Sequence, residues 1–341
     1  MLDLQRMHHI ELSGNPNGQK FLATVMLRPN YQSFPGVDIA LEGTDNLPDE
    51  PVIYAMNHTD RYNYWPFQYR LWQDLGRFTA TWVKGKYYQN PFMGKFMEWM
   101  NNIPVVSRGY LIGRDFKNVT GERPSDEQYR ALRRLVNRSA VAAIERAEAG
   151  ERPAEAELAA IPEAIFEQPR SLLGLDYKPD RHRWADRLME VFEAMMERFV
   201  DLNGEALRKG LDLLVFPQGT RSIRLSRGRI GLAQIALFYD ETVVPVGCNG
   251  SDRVYPGDSP LAQSGDIVYR IGEPIGAEER TEFAIEESFE PFTPAAEHRY
   301  RDRFQGYVDL VMERINGLLD PRYQFDDEKT SDGVDGARRF V

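Results

Sequence analysis

Two stretches of this chain set a proton-transfer group and an anion-binding group directly after short apolar runs. In the first, Val52-Ile53-Tyr54-Ala55-Met56 is followed by Asn57-His58-Thr59-Asp60-Arg61-Tyr62-Asn63. In the second, Leu213-Leu214-Val215-Phe216 gives way to Pro217-Gln218-Gly219-Thr220-Arg221-Ser222. A compact apolar run bounded by Pro, Gly or polar residues reads as a buried strand. Loops at the ends of such strands are where binding groups are usually mounted. His58 is a candidate general base, because an imidazole titrates near neutrality and can take a proton from an alcohol. Arg221 is a candidate for holding an anion, since its planar fork can donate two hydrogen bonds to one phosphate. Read alone, a single His after a strand is more often structural. Arg221 with Arg224, Arg227 and Arg229 also reads as a solvated basic loop, which explains the charges but not the flanking Phe-Pro-x-Gly-Thr.

A third block runs from Val83-Lys84-Gly85-Lys86 through Pro91-Phe92-Met93-Gly94 to Asn102-Ile103-Pro104-Val105-Val106-Ser107-Arg108. Together the three blocks resemble the signatures of glycerolipid acyltransferases, the lysophosphatidic acid acyltransferase-like superfamily. The first is similar to that family's Asn-His-x4-Asp block, and the second to its Phe-Pro-Glu-Gly-Thr-Arg-Ser. Further on, Leu225-Ser226-Arg227-Gly228-Arg229-Ile230-Gly231-Leu232-Ala233 resembles the Lys-x-Gly-x-x-x-Leu-Ala helix start. Val243-Val244-Pro245-Val246 resembles the last block, and Tyr269 to Ile275 the closing strand and turn. The resemblance covers about residues 36 to 109 and 200 to 280. Two positions depart from it: Asn63 stands in place of Asp, and Gln218 in place of Glu.

The resemblance implies transfer of a fatty acyl group from acyl-CoA or acyl carrier protein to a hydroxyl of a lysophospholipid or glycerol-phosphate-type acceptor. His58 is then the base, oriented by Asn63 or Asp60. Lys84, Arg108, Gln218, Gly219, Thr220 and Arg221 then hold the anionic acceptor. The thioester supplies the driving force, so no metal or redox cofactor is implied. Asn63 can accept a hydrogen bond from the imidazole but cannot stabilise an imidazolium, and by donating instead it selects the wrong tautomer. In the Ser-His-Asp triad the equivalent Asp-to-Asn change costs about 10⁴ in rate. Asp60 is a substitute orienter if the loop bends; its other reading is a turn residue or the N-cap of the next helix. Loss of both carboxylates motivates an alternative function, a weakened or inactive relative that binds lipid or acyl carrier protein as a carrier or regulator.

The elements that must position these loops alternate between strand and helix. Val37–Gly43, Val52–Met56, Thr79–Val83, Ile103–Val106, Leu213–Phe216 and Val243–Val246 read as strands, with helical stretches at 64–75 and Leu232–Leu237. This pattern predicts an α/β fold, a mainly parallel central sheet flanked by helices. The expected organisation is an N-terminal segment over 1–35, a catalytic domain over 36–325, and a tail over 326–341 too charged and aperiodic to fold. Within the domain, about 110–195 reads as a helical insert. It opens on a capping box at Ser125-Asp126-Glu127-Gln128, and a later helix from Arg187 buries a Met and Phe stripe.

At 341 residues, 42% apolar and 28% charged, the chain can bury one large core. Its net charge of −10 argues against a nucleic-acid partner. The single cysteine, Cys248, rules out an internal disulfide and reads as a buried thiol. His8-His9, His182 and His298 lack metal-ligand spacing. No signal peptide and no run near the roughly 20 apolar residues of a membrane span is seen. The expectation is a cytoplasmic protein attached peripherally to a membrane, with an amphipathic face of the insert as a candidate anchor.

Overall fold

The computed structural model describes residues 2–33, 36–145, 159–180 and 183–331. Nine strands are present among them. These are β1 Val37–Glu42, β2 Ile53–Met56, β3 Thr79–Lys84, β4 Asn102–Val105, β5 Arg170–Leu172, β6 Leu175–Tyr177, β7 Asp212–Val215, β8 Val243–Asn249 and β9 Gly265–Ile271. Seven of them form one sheet in the order β1-β9-β8-β2-β7-β3-β4. Every neighbouring pair is parallel except β8 with β9. The chain therefore has the mainly parallel α/β architecture that its alternating pattern predicts.

β2, β7 and β8 are buried along their whole lengths, which is why their sequences read as continuous apolar runs. Successive side chains point to opposite faces of a strand, and two cores result. Ile53, Ala55, Leu213 and Val215 join one, and Tyr54, Met56 and Leu214 join the other. Helices of eight or more residues are numbered here α1 Tyr64–Leu75, α2 Pro91–Trp99, α3 Arg108–Thr120, α4 Asp126–Glu145, α5 Trp184–Arg208, α6 Gly231–Tyr239 and α7 Arg301–Gly317. The first core takes in α5, α6 and α7 through Met195, Phe199, Leu232, Tyr307 and Val311. The second takes in α1 through Phe67 and Leu71, and the N-terminal segment through Leu22, Leu27 and Tyr31.

A buried ion pair pins the sheet at the edge away from the candidate residues. Asp212, at the start of β7, accepts from Arg77 Nε and Nη2 at 2.9 and 2.5 Å and from the Val52 backbone N–H at 2.9 Å. One carboxylate thereby ties the entrances of β2, β3 and β7 together. Its burial is compensated by a forked partner rather than left open.

Between 110 and 195 the described residues are helical over α3, α4 and the start of α5. The capping box forms reciprocally: Gln128 N–H donates to Ser125 Oγ at 3.2 Å, and Ser125 N–H to Gln128 Oε1 at 2.9 Å. The helical reading is corrected at one place, because β5 and β6 make a two-stranded antiparallel hairpin. Its turn puts Leu173 and Gly174 at φ 52° and 104°, and three-residue strands are too short to show a period in sequence. Asp115 anchors it, taking both Arg170 Nε and Nη2 at 2.8 and 2.6 Å and Trp184 Nε1 at 2.9 Å. The Ala- and Glu-rich stretch at 151–158 and His182 lie outside the described residues.

The expected structureless tail is corrected in its first part. Lys329 O accepts from Arg227 N–H at 3.2 Å, and Thr330 donates from N and Oγ1 to Asp326 at 2.9 and 2.8 Å. Local side chain to backbone bonds and a docking partner stabilise a segment that charge alone reads as unfolded. Residues 332–341 lie outside the described part. No helix among the described residues is long and apolar enough to cross a membrane.

Candidate active site

Because β2, β7, β3 and β4 run parallel, their C-terminal ends open on one edge of the sheet. The loops carrying His58, Gln218 to Arg221, Lys84 and Arg108 all leave from that edge. This is the position where open α/β sheets bind ligands.

Asn57 closes the end of β2. Its side chain accepts from Cys248 N–H at 2.7 Å and donates to Cys248 O at 2.9 Å, extending the ladder onto β8. The Asn57 carbonyl in turn accepts from Asn63 Nδ2 at 2.8 Å. That bond commits the Asn63 amide nitrogen, so its Oδ1 faces the ring of His58, 3.0 Å from Nδ1. Asn63 is fully buried, and its own carbonyl accepts from Tyr269 Oη at 2.6 Å. The wrong-tautomer orientation is thus disfavoured: Nδ1 carries the proton and donates, while Nε2 has no hydrogen-bond partner among the described residues and keeps its lone pair.

The ring of His58 stacks on Phe216, with centroids 4.1 Å apart and planes at 21°. Burial pushes its pKa down to about 3, the positive charges of Lys84 and Arg221 act in the same direction, and the Asn63 hydrogen bond opposes them. His58 is therefore a neutral imidazole at physiological pH. It can accept a proton only transiently unless an anion neutralises the nearby cations.

Gln218 joins the two loops. It is buried, and its Oε1 accepts from His58 N–H at 3.0 Å while its Nε2 reaches Arg224 O and Ser226 Oγ, each at 3.3 Å. Ser222 N–H donates to His58 O at 2.8 Å. The turn between them has Pro217 second and Gly219 fourth, closed by Gly219 N–H to Phe216 O at 3.0 Å. Gly219 sits at φ 66°, a conformation glycine adopts without strain. A neutral Gln here donates to a carbonyl and a hydroxyl, which a carboxylate cannot do.

The remaining candidates separate. Asp60 does not reach His58; it accepts from Tyr62 N–H at 2.8 Å and Thr59 Oγ1 at 2.9 Å, the pattern of a turn residue. Burial raises its pKa against those hydrogen bonds. Arg221 is exposed beside the His58 loop, and Thr220 is buried behind it. Arg108 is paired elsewhere, with Nη2 3.1 Å from Glu297 and its guanidinium 5.2 Å from the centre of the Phe192 ring. Cys248 is a buried thiol whose pKa burial pushes far up, so it is inert.

The structure adds cations that sequence reading did not single out. The charges of Arg221, Arg123 and Arg61 all act on Lys86, whose pKa is lowered first by burial and then by them. Arg221 acts on both groups, so the charges of Lys84 and Arg221 that reach His58 continue into a second positive cluster around Lys86, in which Arg61 is partly offset by Asp258 at 3.2 Å. Lys86 carried a signal, lying in the same block as Lys84. Arg123 carried none, because only the path of α3 brings it there.

Among solved structures, the chain is similar to the crystal structure of the 1-acyl-sn-glycerophosphate (LPA) acyltransferase PlsC from Thermotoga maritima. The match has 15% identity, covers 91% of this chain and 77% of that one, and has a TM-score of 0.38. No protein family matches the chain. No curated protein matches it either. The site is defined by its own geometry: a neutral, oriented imidazole at the C-terminal ends of parallel strands, tied to an arginine-bearing loop and under the positive charges of Lys84 and Arg221.

Proposed function

We propose that this protein is an O-acyltransferase that moves a fatty acyl group from a thioester to the hydroxyl of an anionic lysolipid or glycerol-phosphate-type acceptor. The observation that supports this most is the His58–Asn63 pair, which presents Nε2 as a free base beside a cationic cluster. Nε2 takes the hydroxyl proton as the acceptor oxygen bonds to the thioester carbonyl carbon. The tetrahedral adduct then expels the thiolate, which receives the proton back from the imidazolium. Lys84, Lys86 and Arg221 hold the acceptor's phosphate. That phosphate offsets the charges that depress the His58 pKa, so acceptor binding itself strengthens the base. The donor, acyl-CoA or acyl carrier protein, is a co-substrate, and no other cofactor enters this scheme.

The acceptor and product are lipids, so attachment to a membrane face is part of the proposal. The surface taken here to meet the membrane is the exposed apolar patch on α2 and the N-terminal segment. Phe92 and Trp99 lie seven residues apart on α2, hence on one side. Trp99 packs on Phe21 with centroids 5.4 Å apart, and Val25 follows one turn on. All four are exposed, Phe92 at 87%, with Lys95 on the same helix.

A second reading has its own observation. Asn63 gives the imidazolium no counter-charge, which favours a lipid-binding relative with little or no turnover. Incubation with acyl-CoA or acyl carrier protein thioesters and a panel of lysolipids, followed by free-thiol release, decides between the two. Acceptor-dependent release supports the enzyme. Saturable lipid binding without release with any donor supports the carrier.

A further inference from the structure

The basic run after the signature loop does not act as one patch. Arg221 belongs to the field around His58, whereas Arg227 and Arg229 line a separate, half-open cavity of about 450 Å³. That volume is in the range of small-molecule sites, roughly 300–1,000 Å³. Arg301, from the first turn of α7, lines it too. Its polar floor is Gln218, Thr220, Ser226 and Gln234, all buried. Ile230 and Gly231 bring in the start of α6, which has no side-chain cap on its free N–H groups.

The charges do not cancel. The one acid on the wall, Glu297, pairs with Arg108, and Lys329 pairs with Glu313. The side chains of Arg227, Arg229 and Arg301 have no partner among the described residues. Three uncompensated guanidiniums and an open helix start converge on one concavity, on a chain whose net charge is −10.

We propose that this cavity binds the phosphates of a coenzyme A thioester. The inference rests on the acyl-transfer reading and deepens it by naming the donor. One side chain, Gln218, separates the cavity from His58, bonding the His58 backbone at one end and Ser226 on the cavity floor at the other. An acceptor phosphate is already provided for by Arg221, Lys84 and Lys86. Coenzyme A carries a diphosphate and a separate monophosphate, which match three forked donors. A carrier-protein arm offers a single phosphodiester and leaves most of that charge unmet.

Isothermal titration of the full chain with coenzyme A, pantetheine and glycerol 3-phosphate tests this. Wild type and His58→Ala should bind coenzyme A equally. The Arg229→Ala/Arg301→Ala double variant should bind it at least tenfold more weakly. Pantetheine, which lacks the phosphates, should bind all three proteins weakly and alike. The proposal is overturned if coenzyme A shows no saturable binding, if the double variant keeps full affinity, if pantetheine binds as tightly, or if glycerol 3-phosphate is the ligand that loses affinity. Thiol-release assays separate the two readings. Arginine-dependent coenzyme A binding without acyl transfer keeps the cavity site and removes the catalytic reading. Transfer from acyl-CoA that ignores both arginines does the reverse.

Discussion

Nδ1 of His58 and Oδ1 of Asn63 lie 3.0 Å apart, and the Asn57 carbonyl fixes which end of the Asn63 amide faces the ring. An asparagine at this position therefore reproduces one half of what a carboxylate does for a catalytic imidazole. It selects the tautomer but supplies no charge to the imidazolium.

Restoring that charge should raise the rate. Asn63→Asp is expected to increase kcat by between tenfold and about 10⁴, the upper bound set by the Asp-to-Asn loss in the Ser-His-Asp triad. Asp60→Asn should leave kcat within a factor of two or so, because an amide oxygen still serves Tyr62 N–H and the residue does not meet the ring. Steady-state thiol release on the two variants checks both. A fall in Asn63→Asp would mean that the Asn57 bond matters more than the charge.

The depressed His58 pKa carries a sign that can be measured. With a folded value of about 3 and an ordinary value near 6.5, both states are neutral above about 6.5 and the group does nothing to stability there. Between those limits the unfolded chain holds one more proton, so stability falls steadily as pH drops. His58→Gln should flatten that part of a denaturant midpoint against pH curve. For the same reason kcat/KM should show no acid limb near pH 6.5. A limb there would place the free-enzyme imidazole at its ordinary value.

Arg77→Ala should destabilise the fold without touching the site edge. It strands the Asp212 carboxylate, which is 2% exposed, and removing one partner of a buried pair costs about 3–5 kcal/mol. Chemical denaturation should show that loss. A change below about 1 kcal/mol would show that water reaches Asp212.

Membrane attachment should depend on α2. Replacing Phe92 or Trp99 by Ser removes roughly 1.5–3 kcal/mol of apolar burial, so partitioning to anionic vesicles in a sedimentation assay should fall about tenfold or more for each. Unchanged partitioning would put the anchor elsewhere.

Much of this arrangement was legible because short-range physics dictates it. β2, β7 and β8 announce themselves as apolar runs since both faces are buried, and Ser125 and Gln128 announce a helix start since their bonds are local. The loop of His58 was readable as a strand end for the same reason. What sequence could not give is pairing across distance. Arg108 reads as a phosphate ligand until Glu297, 189 residues away, is seen beside it. The run Arg221 to Arg229 reads as one patch until the cavity is seen to take in Arg227 and Arg229 but not Arg221. Arg301 enters that cavity only because α7 packs beside α6. Which end of the Asn63 amide faces the ring was also open until Asn57 O was placed.

The central claim is that Nε2 of His58 is the base. The most direct measurement compares initial rates of acceptor-dependent thiol release by wild type and His58→Ala at saturating acyl-CoA and lysolipid. Loss of a positioned base predicts a fall of about 10²–10⁴, with acceptor binding retained. A variant that releases thiol as fast as wild type would contradict the account.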